Sequence, residues 1–291
     1  MSRSCRSSVA LLAVLLAACQ GADNAADDSA SASSAPPGAR THVLPSVVEV
    51  VGLDYTFEAP AEIDAGWTTF EFVNQGPEPH HLTLVRLEGG HTVADLVAAM
   101  RDRQSMEGIA TPVGGPNAPM PGAESNATVD LTPGEYALLC LVPSPDGVPH
   151  LFKGMVKPIT VRAGGAAAEA PEADVELTFT DYAFELSAPI TAGERTIRAT
   201  TAPGSTEVHE VVVARLAAGK TAEDLNAWIH SMQGPPPAEF LGGVTALAPG
   251  LSNTFTVDFT PGDYAFLCPL PSSSDGQAHS MKGMIQQITV M

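Results

Sequence analysis

The sequence predicts an all-β chain of two tandem Greek-key β-sandwich domains, each with one short inserted helix. Three observations carry that expectation. Short runs of alternating apolar and polar residues recur with turn residues between them, as half-buried strands require. The second half repeats the first in register over several dozen positions, which marks duplication. Each half is about the size of one ordinary domain and holds a single stretch of helical spacing.

Taken in order, the chain opens with Arg3 and Arg6 ahead of the apolar run VALLAVLLAA, and no acidic residue precedes Asp23. This is the pattern of an export signal, too short to span a bilayer comfortably. It ends in LAAC, Leu16 to Cys19, which resembles a bacterial lipobox. Residues 1–19 therefore read as a lipoprotein signal peptide and Cys19 as the lipidated first residue of the mature chain. An ordinary signal cleaved nearby, or an uncleaved anchor, is the alternative. The expectation is an exported protein held to a membrane by its N-terminal lipid, facing the periplasm or the cell surface. Residues 20–45 are Ala, Ser, Asp, Gly and Pro with few large apolar side chains, so they read as a flexible stalk.

Residues 46–162 form the first expected domain. Its strand signals are VVEVVGL, TTFEFVN, HLTLVRL, NATVDL and EYALLCLV, separated by turns such as NQGPEP and TPGE. Thr92 and Asp95 form a capping box ahead of Val93, Leu96, Val97 and Met100, one apolar stripe at helical spacing. The methionine reads as core filling. A linker, AGGAAAEAPEA over residues 163–173, precedes the second domain at 174–291. There DYAFELSAPITAGERTIRA from Asp181 matches DYTFEAPAEIDAGWTTFEF from Asp54, and TVDFTPGDYAFLC from Thr256 matches TVDLTPGEYALLC from Thr128. The helix signal recurs as Thr221, Asp224, Leu225, Ile229 and Met232. A Gly-Gly pair, at Gly114 and Gly242, also recurs and reads as a turn.

The whole chain carries a formal charge of −19, and loss of the signal's two arginines makes it −21. Nucleic acid is excluded as a partner for so acidic a surface; the charge would favour a cationic exported partner, but the simpler reading is that it keeps an exported protein soluble. Of four cysteines, Cys5 leaves with the signal and Cys19 takes the lipid, so Cys140 and Cys268 remain. One disulfide between them is the simplest reading in an exported protein. Their equivalent places in the two repeats point instead to two separate local roles.

A soft thiol, an imidazole and a thioether recur in the same order near the end of each copy, and a histidine opens a strand upstream. His80, Cys140, His150 and Met155 are separated by 60, 10 and 5 residues; His209, Cys268, His279 and Met284 by 59, 11 and 5. Two imidazoles, a thiolate and a weak axial thioether suit copper in a type 1 site. Zinc would use the Cys and His residues but gain little from the Met. In KGM, the glycine before each Met suggests a tight turn.

On PHHLTL, the TPGEYALLC approach to the cysteine, and a His followed five positions later by Met, both repeats resemble the cupredoxins, the family of plastocyanin, azurin and amicyanin and of the copper domains of nitrite reductases. The resemblance implies one copper per domain, held by His80, Cys140, His150 and Met155 and by His209, Cys268, His279 and Met284. The interval from Cys to His is longer than in the small carriers of the family and nearer that of the nitrite reductase domains. In the family an exposed ligand histidine is the usual electron exit, so the exposure of His150 and His279 becomes the question. Related oxidases and reductases add His-x-His pairs or a His directly before the Cys; here Leu139 and Leu267 precede the cysteines and no His-x-His occurs. His42 lies in the stalk, and His81, His91 and His230 read as surface or structural residues. The expectation is therefore not an enzyme but an electron carrier working with an exported redox partner. Copper storage or delivery, or a metal-free surface interaction module, are the alternatives.

Overall fold

The computed structural model describes residues 43–165 and 168–291; the signal, Cys19 and the stalk residues before Val43 lie outside the described residues. From residue 43 onward the described residues belong to one compact unit. The first copy consists of β1 (Ser46–Leu53), β2 (Thr56–Glu58), β3 (Glu62–Asp64), β4 (Gly66–Asn74), β5 (Thr83–Leu87), α1 (Val93–Arg101), β6 (Ala110–Gly114), β7 (Glu124–Leu131), β8 (Gly134–Leu139) and β9 (Val156–Arg162). Two sheets form, ordered β2-β1-β4-β7 and β6-β5-β8-β9-β3. β1 runs parallel to β4, and β4 antiparallel to β7. The alternation seen in TTFEFVN is realised in β4, where Thr68, Phe70, Phe72 and Asn74 are buried and the residues between them are not. Val50, Phe70, Phe72, Leu84, Val129 and Leu138 fill the space between the sheets.

The second copy repeats this with β10 (Val175–Thr180), β11 (Ala183–Leu186), β12 (Gly193–Thr201), β13 (His209–Leu216), α2 (Ala222–Ser231), β14 (Ala238–Leu247), β15 (Ser252–Phe259), β16 (Gly262–Leu267) and β17 (Ile285–Val290). Among the described residues it has no counterpart of β3. The architecture is all-β: two β-sandwiches, each with its inserted α-helix. Both capping boxes are present, Thr92 with Asp95 and Thr221 with Asp224. α1 buries Leu96 and Ala99, Leu96 in one cluster with Val85, Ala137 and Leu139 on the outer face of one sheet; Leu96 alone contributes about 2 kcal/mol by leaving water.

Each cysteine directly follows a strand that a tyrosine fixes at its other end. Tyr136 donates to the Thr132 carbonyl at 2.9 Å and Tyr264 to that of Thr260 at 2.8 Å. This is why TPGEY and TPGDY recur: the turn and the tyrosine together set the entry of β8 and β16, as in a tyrosine corner.

The two copies are joined edge to edge. β7 pairs antiparallel with β15 at Thr128 and Thr254, and β6 with β14 at Val113 and Leu247, so the sheets run on as one of eight strands and one of nine. Across the seam the Asn126 side chain donates to the Thr256 carbonyl at 3.0 Å and accepts from the Thr256 N–H at 2.9 Å. Buried Asn117 donates to the carbonyls of Val211 and Val244 at 2.9 and 3.2 Å. The Gly-Gly pairs are not turns. Gly114 ends β6, Gly242 and Gly243 lie inside β14, and all have positive φ. A Cβ at Gly115 or Gly243 would run into the carbonyl of Leu82 or Val211, so glycine here permits close backbone approach at a bulge beside the seam.

Candidate metal centres

The second histidine of each set does not sit in plain loop. His150–Lys153 and His279–Lys282 are one-turn 3₁₀ helices, closed by Gly154 at φ 112° and Gly283 at φ 113°. Four backbone hydrogen bonds tie the first loop together: Cys140 N–H to Met155 O, Met155 N–H to His150 O, Leu151 N–H to Cys140 O, and His150 N–H to Val142 O, at 2.8–3.2 Å. The same four recur in the second copy at Cys268, Met284, Ser280 and His279. This lacing delivers Cys, His and Met to one place, and β5 and β13 bring the upstream histidines there.

In the first copy, Nδ1 of His80 and Nδ1 of His150 are 2.9 Å apart, and Cys140 Sγ is 3.4 Å from the His150 nitrogen and 4.0 Å from that of His80. In the second, the two Nδ1 atoms of His209 and His279 are 3.1 Å apart, with Cys268 Sγ 3.4 Å from His279. Within each set the three donor atoms lie within 4.8 Å of one another. Donors at about 2.0 Å (N) and about 2.3 Å (S) from a common metal, spread at about 100–120°, would be separated by about 3.1–3.7 Å. The hydrogen-bonded donor pairs lie within that range or a few tenths of an ångström outside it, close enough for one metal ion to draw the three atoms together. Every proposed ligand, including Met155 and Met284, is fully buried, and each Met shares a core cluster with its Cys. Neither cysteine is in a disulfide; both are free thiols.

Beyond the donors the copies diverge. His150 Nε2 is held by Glu78 at 2.7 Å, whereas His80 Nε2 has only Asp54 at 3.8 Å and no hydrogen-bond partner. In the second copy the firm anchor moves to the other histidine: His209 Nε2 meets Ser205 Oγ at 2.9 Å and Asp181 at 3.1 Å, and His279 Nε2 has Glu207 only at 4.0 Å. The sequence cause is one position. Ser205 is matched in the first copy by Gly76, and a Cβ at Gly76 would lie 2.5 Å from His80 Nε2. Released from His279, Glu207 instead accepts from Ser272 and Ser273 at 2.9–3.1 Å.

Burial dominates the electrostatics. It pushes the Cys140 thiol up to about 12 and the Cys268 thiol higher still. Burial, reinforced by neighbouring His150, lowers His80 to about 4. His209 and His279 are also lowered, chiefly by burial. Burial pushes the Glu78 carboxyl up, but hydrogen bonds from His150, Ser144 and Tyr55 outweigh it and hold Glu78 below its ordinary value. His80, His209 and His279 thus stay neutral at neutral pH, and a metal must displace the thiol proton.

The long Cys-to-His loops, and residues the sequence reading passed over, account for the burial of His150 and His279. Tyr55 and Tyr182, both non-glycine residues at positive φ of 58° and 67°, pack their rings 5.2 and 5.1 Å from the rings of His150 and His279. Ser144 in one loop and Ser272 in the other bond those tyrosines at 3.2 and 3.1 Å. Lys153 and Lys282 sit over the tyrosine rings and pair with Asp146 and Asp275 at 2.8 Å. The signal was available: the Asp-Tyr pairs and a Glu two residues before the first histidine are identical in both copies. His81, expected to be surface or structural, is buried and accepts from Leu141 N–H at 2.7 Å. His91 and His230 are exposed.

No family model and no curated protein matches the chain. Solved structures do. A reduced auracyanin from Roseiflexus castenholzii is 21% identical, covering 41% of this chain and 99% of its own, with a TM-score of 0.29. A copper nitrite reductase from Thermus scotoductus and a blue copper oxidase from Nitrosomonas europaea are each 12% identical over 84% of this chain, covering 61% and 85% of theirs, with TM-scores of 0.23 and 0.22. At these identities the likeness is one of fold. The expectation that the chain is not an enzyme does not stand, since the solved structures matched across both copies include a nitrite reductase and a copper oxidase.

Among the described residues no helix is long and apolar enough to cross a membrane.

Proposed function

We propose that this is an exported, lipid-anchored copper protein with two type 1 centres, His80, Cys140, His150 and Met155 forming one and His209, Cys268, His279 and Met284 the other, which passes electrons to and from an exported redox partner. The supporting observation is the convergence of two Nδ1 atoms and one Sγ in each copy, with a fully buried methionine laced to the cysteine through backbone hydrogen bonds. Such a set of soft and borderline donors, with a thioether in reserve, favours copper over zinc. Copper, when bound, supplies one-electron chemistry. The chain's own part is to exclude water from all four donors, to keep His80, His209 and His279 neutral, and to hold one ring in each centre, His150 through Glu78 and His209 through Asp181 with Ser205. A framework so fully hydrogen-bonded changes little between two charge states.

The test is to produce residues 40–291, add Cu(II), and compare colour and stoichiometry with Cys140→Ser and Cys268→Ser. Two coppers per chain with a strong visible thiolate-to-copper band, each variant losing one, is the expected result. Copper bound without that band would favour storage or delivery, and a colourless protein that takes up none would overturn the proposal.

A further inference from the structure

Between the two copies lies a cavity of about 380 Å³ that no part of the copper reading uses. Its walls are largely apolar, with Met100 and Phe152 from the first copy facing Trp228, Met232 and Phe240 from the second. The two helices and both Cys-to-His loops contribute to it. Four of its lining residues each directly follow a proposed copper ligand: His81 after His80, Leu141 after Cys140, Glu210 after His209 and Pro269 after Cys268.

Three buried polar side chains also line it, and they differ in what they have left to offer. Asn117 gives both amide hydrogens to the carbonyls of Val211 and Val244. His81 accepts the Leu141 N–H at Nε2, which puts its own proton on Nδ1 as a donor, with the Asn117 side chain as its neighbour in the wall. Glu210, only 3% exposed, has an oxygen, Oε2, with no hydrogen-bond partner. A buried acceptor without a partner is costly, and native structures seldom leave one without reason. His81 and Glu210 occupy the same place in the two repeats, so the duplication has set a donor and an acceptor on the walls of one apolar space.

We propose that this cavity binds a small aromatic alcohol, its ring among Trp228, Phe240 and Phe152 and its hydroxyl donating to Glu210 Oε2. A hydroxyl can at the same time accept from the Nδ1–H of His81. An ammonium group could donate to Glu210 but could accept nothing from His81, and a hydrocarbon would leave Glu210 unpartnered. Most drug-sized ligand sites share this pattern of apolar walls with a few placed polar groups.

The cavity holds none of the proposed copper ligands, so its test does not depend on copper. The full chain is stripped of metal with a chelator, and phenylpropanol is titrated by calorimetry and by Trp228 emission in a Trp67→Phe background. Saturable binding is expected, about tenfold tighter than that of propylbenzene, the difference made by one hydrogen bond. Glu210→Leu should remove that preference, while Glu210→Gln, which retains a carbonyl acceptor, should keep most of it. The same binding after Cu(II) loading should shift the visible spectrum, because the ligand would lie one residue from both centres. Equal affinity for propylbenzene in the unaltered protein, tighter binding of phenylpropylamine, or an unchanged preference in folded Glu210→Leu protein would each overturn the proposal.

Discussion

Gly76 and Ser205 hold the same place in two repeats and give the two centres different mechanical supports. Ser205 and Asp181 fix the upstream histidine of the second centre, whereas the first centre leaves His80 loose and fixes His150 through Glu78. Partners of this kind typically change metal affinity 10- to 100-fold when removed. Glu78→Gln should therefore weaken copper at the first centre by about that factor, and Asp181→Asn at the second. Asp54→Asn, acting across 3.8 Å, should do less. Chelator competition on single-centre proteins, Cys268→Ser and Cys140→Ser, reads each effect separately. Equal losses for Asp54→Asn and Asp181→Asn would remove the distinction. Glu210 supplies a second expectation. Burial raises its carboxyl from 4.5 to about 8, so the folded state binds this proton more tightly than the unfolded chain does. The contribution is fully present below about 4.5 and is lost as pH rises through about 8, by up to a few kcal/mol. Replacing Glu210 with Gln should remove this loss, so that denaturant titrations of metal-free protein favour the variant more at pH 8 than at pH 5. A difference independent of pH would show that the carboxyl ionises freely.

Each 3₁₀ turn works only because a glycine follows it. Gly154 has φ 112° and a Cβ there would meet only the Tyr55 carbonyl at 3.8 Å, so backbone strain rather than crowding opposes a side chain. Gly154→Ala should cost about 1–3 kcal/mol of stability. Because Met155 follows directly, it should also shift the visible band of the first centre and leave that of the second unchanged. The glycine before each Met was legible in KGM, as were both capping boxes, the strand alternation and the order of the four donors in each copy. Those features are local or periodic, and a duplicated chain prints them twice. The 3₁₀ turns were hidden because Pro and Gly in the loop favour irregular backbone, and hydrogen bonds donated by Leu151 and His150 to the carbonyls of Cys140 and Val142 decide otherwise. The Gly-Gly pairs misled for a related reason: their carbonyl neighbours, Leu82 and Val211, lie far away in sequence. The layer of Tyr55, Glu78 and Ser144 over His150 needed three distant segments to meet, and no spacing rule anticipates that.

Across the whole molecule the seam makes two sandwiches one cooperative body. Asn117 and Asn126 add side-chain hydrogen bonds to backbone groups between the copies, and each sheet crosses the seam at one paired position. Metal-free protein should unfold in one transition, with calorimetric and van't Hoff enthalpies equal; two separated transitions would show that the copies unfold independently. Asn126→Ala should lower that single midpoint. The pairing of β7 with β15, and of β6 with β14, joins equivalent strands of the two repeats in antiparallel register. That is the arrangement of an isologous dimer about a twofold axis. A lone copy would expose both of these sheet edges, and exposed edges template association. The chain can thus be understood as a homodimer whose subunits have been tethered, with the tether replacing a concentration-dependent equilibrium by a fixed, high effective concentration. Once tethered, the halves no longer had to remain identical, and an imidazole on one side of the axis could face a carboxyl group on the other.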